Sequence, residues 1–180
     1  EHGHYQKTTL FENATRVPLV MAGPGVTAKG QATESLAEMV DFYPTLAELA
    51  GLKTPDYLKG VSLAPVLRNT SARLRKSAFT QYAQGYSIRT ARFRYTEWGE
   101  SGSNGRELYD HLNDPQELEN LAPAERHQSI INELAEVLHQ RIAHANTKPG
   151  ELKQNELTGS RKFPQPRLPG TIRGDTTGAR

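Results

Sequence analysis

The sequence of 180 residues is long enough for one domain with a core of its own. It contains no Cys, which excludes disulfides, zinc–thiolate sites and a cysteine nucleophile within this chain. It also has no apolar run of about 18 residues or more, so we expect no membrane span. The hydrophobic content of 36% is low for a fully packed chain and predicts that part of it does not fold.

The formal net charge of +2 is distributed unevenly along the chain. Residues 147–180 contain seven Lys and Arg against three Asp and Glu, whereas residues 1–146 have a small acidic excess. The basic character therefore belongs to the tail, and we expect no nucleic-acid partner. Nine of these last 34 residues are Pro or Gly, and the large apolar side chains among them are isolated. This composition predicts a disordered tail over 147–180.

The first half of the chain contains three predicted elements. Residues 16–22 are apolar and β-branched, which predicts a strand buried on both faces. A helical period follows up to Ala50, and because Pro44 falls inside it, we expect the regular helix to begin near Asp41. Gly51 ends this helix, and residues 62–67 form a short helical piece. The apolar positions that share one face of the longer helix are Leu36, Met39, Val40, Tyr43, Leu46, Ala47 and Ala50.

The sequence of the second half of the chain predicts an antiparallel sheet with one helix packed on it. Alternating and β-branched stretches indicate strands at 78–82, 86–90, 92–96 and 107–109, with a tight connection near Ala91. A long amphipathic helix is expected from about residue 124 to 145. Its inward positions are Ile130, Ile131, Leu134, Val137, Leu138 and Ile142.

The first seven residues, EHGHYQK, contain the densest set of candidate functional side chains. Three interpretations are open from the residues alone. His2 and His4 could form part of a Zn²⁺ or Cu²⁺ site, although no other ligand cluster falls at a suitable spacing. The segment could be a solvated loop. Alternatively, Lys7 could hold a positive charge beside a strand end, where it would bind a sulfate or phosphate.

The N-terminal segment also carries a resemblance to a known family. EHGHYQK at 1–7, FE at 11–12 and ATRVPL at 14–19 resemble the segment GEHG-x-W-x-K…(F/Y)E…TRVP(L/I) of the sulfatases. The branch that is most similar is the iduronate-2-sulfatase-like one. Three further motifs follow in the family's order: VDFYPTLAELAGL at 40–52, the strand pair at 86–98, and ELYD at 107–110 with its DP and ENL continuation.

The resemblance implies an α/β fold of the alkaline-phosphatase superfamily, of which this chain would be the C-terminal part. Residues 1–70 would complete the large catalytic domain, and 71–146 would form a small antiparallel sheet and helix subdomain. Residues 147–180 remain the predicted disordered tail. The parent reaction would be the hydrolysis of sulfate esters of sulfated sugars or glycosaminoglycan-like glycans.

The resemblance also implies where the chemistry would lie. In these enzymes a formylglycine, made from Cys or Ser in a C/S-x-P-x-R motif, and the Ca²⁺ ligands lie upstream of the GEHG segment. Both would precede this chain, which implies no metal ligand here and an inactive isolated fragment. Lys7 matches the lysine that contacts the substrate sulfate, and Tyr5 stands where the branch often has a pocket-lining Trp.

The remaining candidates are predicted to be structural. We assign no catalytic role to His2 or His4, and we expect Arg16 and Arg89 to anchor loops or pair with carboxylates. Trp98 is expected to pack against the core or rim rather than stack on a sugar. Two alternatives stay open: a phosphodiesterase or phosphonate hydrolase of the same superfamily, and a non-enzymatic anion- or glycan-binding module. By family resemblance the location would be periplasmic, secreted or lysosome-like.

Overall fold

A computed structural model of the chain describes residues 2–3 and 8–148. Residues 1–148 form one compact unit. Of the predicted disordered tail at 147–180, residues 149–180 lie outside the described residues. The proposed domain boundary at residue 70 stays a prediction. Among the described residues, no helix combines the length and apolar character that crossing a membrane requires.

Residues 77–110 form a four-stranded antiparallel meander, as the sequence predicts. Its strands are β1 Ser77–Tyr82, β2 Gly85–Thr90, β3 Phe93–Trp98 and β4 Gly105–Asp110. The strands follow one another across the sheet in the order β1-β2-β3-β4, and Ile88 of β2 pairs with Tyr95 of β3, which pairs in turn with Leu108 of β4. Tight turns join the first three strands, and the Thr90 hydroxyl donates to the carbonyl of Phe93 at the predicted connection near residue 91.

The part of the chain that the structure describes also contains four α-helices. They are α1 Glu12–Thr15, α2 Phe42–Leu49, α3 Ala64–Arg68 and α4 Gln128–Asn146, and short 3-10 turns cover Met39–Asp41, Glu100–Gly102 and Glu125–His127. Helix α4 packs across the sheet and buries the predicted side, because Ile131, Leu134 and Leu138 are removed from solvent. They contact Ile88, Tyr95 and Leu108, which the strand alternation places on one face of the sheet.

On each edge strand of the sheet, one backbone N–H donates to a side chain from outside the sheet. The backbone N–H of Phe79 in β1 donates to Glu38 Oε1 at 2.9 Å, and the N–H of Leu108 in β4 donates to Asn120 Oδ1 at 3.0 Å. Such partners satisfy ladder donors that would otherwise be free to pair with another chain.

The prediction of a strand at 16–22, which the structure describes in full, is wrong. No strand forms there, and Val17 and Val20 are 63% and 89% exposed. An apolar strand buried on both faces needs neighbouring strands and covering helices. The sheet described here offers it none, because neither edge strand pairs with these residues.

Helix α2 begins and ends where the sequence predicts. A 3-10 turn leads into it at Asp41, Pro44 lies in its first turn, and Gly51 follows it with φ +69°. Its buried side chains are Pro44, Thr45 and Ala47, whereas most of the apolar stripe is exposed at Met39, Val40, Tyr43 and Leu46. The Thr45 hydroxyl explains this orientation, because it donates to the Asp41 carbonyl and accepts the N–H of Leu63.

Candidate functional site

The two residues that the sequence selects as the site lie outside the described residues. Tyr5 and Lys7, together with His4, lie outside the described residues, so their roles stay predictions. The flanking residues are described: His2 and Gly3 on one side, and the chain from Thr8 onward on the other.

His2 is held by packing and by one hydrogen bond. Its ring stacks on Phe11, with the centroids 4.0 Å apart and the planes 5° from parallel, and Phe11 in turn meets the ring of Tyr109 edge-on at 5.8 Å. His2 Nε2 lies 3.0 Å from the carbonyl oxygen of Gln116. Because a carbonyl only accepts, this nitrogen carries a proton and donates. The contacts give His2 a structural role.

Next to this stack lies a partly buried cluster of charged side chains, which we call the arginine–carboxylate cluster: Glu12, Arg89, Arg94, His111 and Glu117. Arg94 lies at its centre and is 2% exposed. Its Nη2 donates to Glu12 Oε2 at 2.5 Å, and its Nε donates to Glu117 Oε1 at 2.5 Å. One guanidinium therefore bridges two carboxylates that come from residues 105 positions apart.

The other members complete the pairing. Arg89 Nε donates to Glu12 Oε2 at 3.2 Å, which confirms the expectation that Arg89 pairs with a carboxylate. Arg16 also lies near Glu12, at 3.8 Å, although its side chain is mostly exposed. The buried carboxylate of Glu117 and the half-buried one of Glu12 thus face two largely buried guanidinium groups, so the charges inside the cluster compensate one another.

His111 is fixed as one tautomer by its neighbours. Arg89 Nη2 lies 2.9 Å from His111 Nδ1, and His111 Nε2 lies 2.7 Å from Glu117 Oε1. A guanidinium can only donate and a carboxylate can only accept, so Nδ1 accepts and Nε2–H donates. Burial raises the pKa of Glu117, but the hydrogen bond from His111 and the charge of Arg94 outweigh burial and lower it.

Three side chains of this cluster also have the types and proximity of metal ligands. One donor atom each from Glu12, His111 and Glu117 lies within 4.8 Å of the others. Ca²⁺ prefers six to eight oxygen ligands. Here one of the three donors is a ring nitrogen, and both carboxylates already accept from guanidinium groups. These three side chains therefore do not fit a Ca²⁺ site.

Sequence reasoning missed this cluster because its members lie far apart in the chain. Glu12 belongs to α1, Arg89 and Arg94 to β2 and β3, and His111 and Glu117 to the segment after β4. The sequence signal that could have found the cluster is Glu12 of the FE motif, together with the arginines of the predicted strands.

A small surface pocket of about 240 Å³ opens beside the cluster. Its lining residues are His2, Glu12, Asn13, Arg16, Pro115, Gln116 and Leu118. Trp98 is not part of it. The tryptophan packs over Gly85, where a Cβ atom would lie 2.6 Å from the indole ring, which confirms the packing role expected for it.

Comparison with known proteins identifies the family. Residues 1–144 match the family described as "N-sulphoglucosamine sulphohydrolase, C-terminal". The chain is 33% identical over 135 residues to arylsulfatase K of Mus musculus, a match that covers 68% of this chain and 24% of that protein. It is 31% identical over 156 residues to the Delta 4,5-hexuronate-2-O-sulfatase of Bacteroides thetaiotaomicron, covering 81% of this chain and 32% of that protein.

The structural comparison agrees. A solved structure of a 2-O GAG sulfatase superposes with a TM-score of 0.59 and 30% identity, over 73% of this chain and 30% of that chain. The expected alkaline-phosphatase-like sulfatase fold is thereby confirmed. The chain spans about a quarter to a third of the length of the curated relatives it matches, and the iduronate-2-sulfatase-like branch stays a prediction. The chain belongs to the sulfatases, in the family of N-sulphoglucosamine sulphohydrolase C-terminal domains.

Proposed function

We propose that this chain is the C-terminal portion of a sulfatase that hydrolyses sulfate esters of sulfated sugars or glycosaminoglycan-like glycans. The family match over residues 1–144 is the observation that carries the proposal, since it includes the EHGHYQK segment with Lys7. The names of the relatives support the substrate class, because one is a hexuronate-2-O-sulfatase and one a 2-O GAG sulfatase. The proposed location is periplasmic, secreted or lysosome-like.

In this proposal Lys7 contributes charge stabilisation. Cleavage of a sulfate ester develops negative charge on the leaving oxygen, while the remaining oxygens of the sulfuryl group stay anionic. A fixed ammonium in a site that excludes water stabilises this distribution more strongly than mobile water does. Tyr5 would line the same pocket. The formylglycine nucleophile and the Ca²⁺ ligands are proposed to lie outside this chain, and no step is derived through them.

The test of this function is a set of variants in the complete enzyme that contains this chain. Lys7→Ala should lower kcat/KM for a sulfate ester by about a hundredfold or more, because a preorganised charged donor is worth about 3–4 kcal/mol in the transition state. Lys7→Arg should rescue only in part, since a planar guanidinium places its charge differently from a compact ammonium. The measurement is steady-state hydrolysis of one sulfate ester by all variants.

His4→Ala is the matched control, with an expected loss below about tenfold. If His4→Ala instead abolished activity together with bound metal while Lys7→Ala were nearly silent, the metal-pair hypothesis would replace this one. Assays with a phosphonate monoester and a phosphodiester address the alternative chemistry, and a higher kcat/KM for either substrate would contradict the sulfatase proposal. Sugar binding without turnover of any ester would favour the binding module.

A further inference from the structure

We propose that the apolar face of α2, formed by Met39, Val40, Tyr43 and Leu46, is the surface on which the catalytic part of the parent sulfatase packs. That the chain has such a counterpart rests on the proposed function above. That the face needs a cover does not, because it follows from the exposure of these side chains and from the fixed orientation of the helix.

The apolar face of α2 consists of large side chains that the chain turns to solvent. Its four residues recur every three or four positions, so the helical period places them on one side of the 3-10 turn and of α2. Each is between 52% and 76% exposed. A helix at a protein surface normally directs its polar side to water and its apolar side to the core. The reversed orientation is typical of a contact surface.

Buried hydrogen bonds hold α2 in this orientation. Thr45 Oγ1 donates to the Asp41 carbonyl at 2.6 Å and accepts the N–H of Leu63 at 2.7 Å. Thr45 and Asp41 are both fully buried. The chain also approaches the start of α2 so closely that a Cβ atom at Gly60 would lie 2.0 Å from the carbonyl oxygen of Val40. Rolling α2 inward to bury its apolar face would break these contacts and leave buried polar groups unpaired.

The occupant that fits this face is another part of the parent protein rather than a membrane or a second copy. Helices that lie on membrane surfaces are rich in Lys and Arg, and residues 42–49 contain neither. A stable dimer interface takes about 20–30 residues from each partner, whereas two turns of one helix offer only a few. Packing within one chain needs no such area, because no separate partner loses its freedom. The relatives have the length for it, since this chain covers only 24% and 32% of the two named above.

Thiol labelling tests this contact directly, because the chain contains no Cys. Met39→Cys and Leu46→Cys place one thiol at each end of the face, and Glu133→Cys places one at an exposed position of α4 as the control. Each variant is made in the 180-residue chain and in the complete enzyme that contains it. The rate of maleimide labelling at the introduced thiol is followed by mass spectrometry of its peptide.

In the 180-residue chain the three thiols should react within about tenfold of one another. In the complete enzyme the thiols of Met39→Cys and Leu46→Cys should react at least about a hundredfold more slowly, as expected when labelling needs a rare local opening, and the control rate should be unchanged. The proposal is overturned if either thiol reacts as fast in the complete enzyme as in the chain, or if the control slows as much. It is also overturned if the protection disappears on dilution, because the cover would then be a second copy.

Met39 gives the same readout without any substitution. Hydrogen peroxide oxidises an exposed thioether to the sulfoxide, and the rate at Met39 should fall at least about tenfold from the 180-residue chain to the complete enzyme. This comparison decides the question if a cysteine variant of the complete enzyme does not fold, and an unchanged rate contradicts the proposal. Neither readout uses catalysis. Protection in an enzyme without sulfatase activity would therefore keep this contact and reject only the proposed function.

Discussion

Asp110, the last residue of β4, shows how one carboxylate fixes a turn. Arg92 donates to both of its oxygens, at 2.9 and 2.7 Å, and the backbone N–H of Leu112 and the side chain of Asn113 donate to it as well. The hydrogen bond from Arg92 is the largest of the effects that lower the pKa of Asp110, to about 2. The turn that leads from β4 to His111 and Glu117 therefore depends on an ionised carboxylate.

We predict that Asp110 makes the stability of this chain pH-dependent in acid. Its pKa is lower in the folded state than its ordinary value of 3.8, so its stabilisation is complete above pH 3.8 and is lost as pH falls through about 2. Asp110→Asn should lower the unfolding free energy by about 1.5–3 kcal/mol at pH 6 and by less near pH 2. Urea unfolding of both proteins at several pH values measures this difference.

Asp56→Asn is the matched control, since Asp56 is exposed in the loop after α2. It should change the unfolding free energy by less than about 0.5 kcal/mol at any pH. A difference between Asp110→Asn and the parent chain that stayed constant from pH 6 to pH 2 would contradict a role for the ionised carboxylate.

At the same scale, sequence reasoning found charges but not their arrangement. Arg16 and Arg89 were expected to pair with carboxylates, and both lie near Glu12. The identity of that carboxylate depends on how α1 and the chain after β4 meet at the sheet. The participation of His111 and Glu117 depends on the same contact. No local pattern contains that information, because the contacts join residues about 100 positions apart.

At the scale of elements, the sheet and α4 were predictable because each carries its own periodic pattern. Strand alternation and the 3.6-residue period both point to the same core, which residues 77–146 supply by themselves. The predictions that residues 16–22 are buried and that the apolar face of α2 is buried were wrong because neither segment packs against this core. Their apolar side chains include Val20 and Met39, which are 89% and 76% exposed, because the described residues contain no surface that covers them.

We predict that the contact of α4 with the sheet is the main source of stability of this unit. Leu138 is fully buried against the sheet, so Leu138→Ala should lower the unfolding free energy by about 2–5 kcal/mol through lost burial and a residual cavity. Leu112→Ala removes the same atoms from a side chain that is 73% exposed and should cost less than about 0.5 kcal/mol. Denaturant unfolding of the pair measures the difference, and equal losses would refute this account of the core.

For the whole molecule, a second group of ion pairs joins the first half of the chain to the sheet and α4. Glu38 and Asp41, at the entry to α2, both pair with Arg75, and Arg141 of α4 donates to Glu38 at 2.6 Å. Phe79 of β1 donates its backbone N–H to the same Glu38. These contacts lie within the compact unit of residues 1–148, and the boundary at 70 between two subdomains stays a prediction.

Removing the C-terminal tail should leave this unit intact. Helix α4 ends at Asn146, and the Thr147 hydroxyl donates to the carbonyl of His144 at 2.7 Å, so the truncation is best placed after Lys148. The removed segment has too few clustered apolar side chains to offset the entropy of ordering it. We expect the melting temperature to change by no more than about 2–4 °C. A fall of more than about 10 °C in a thermal scan would mean that the tail packs on the unit.

The 180-residue chain alone should hydrolyse no aryl sulfate and bind Ca²⁺ no more tightly than an ordinary acidic surface does. In the proposed function Lys7 stabilises charge and is not the nucleophile, and the carboxylates of half-buried Glu12 and of buried Asp41 and Glu117 are all engaged by arginines. Spectrophotometric assays and calorimetric titration with Ca²⁺ test both statements, with the complete enzyme as the positive control. Measurable turnover, or a saturable Ca²⁺ site in the micromolar range, would contradict the assignment of nucleophile and metal ligands to residues outside this chain.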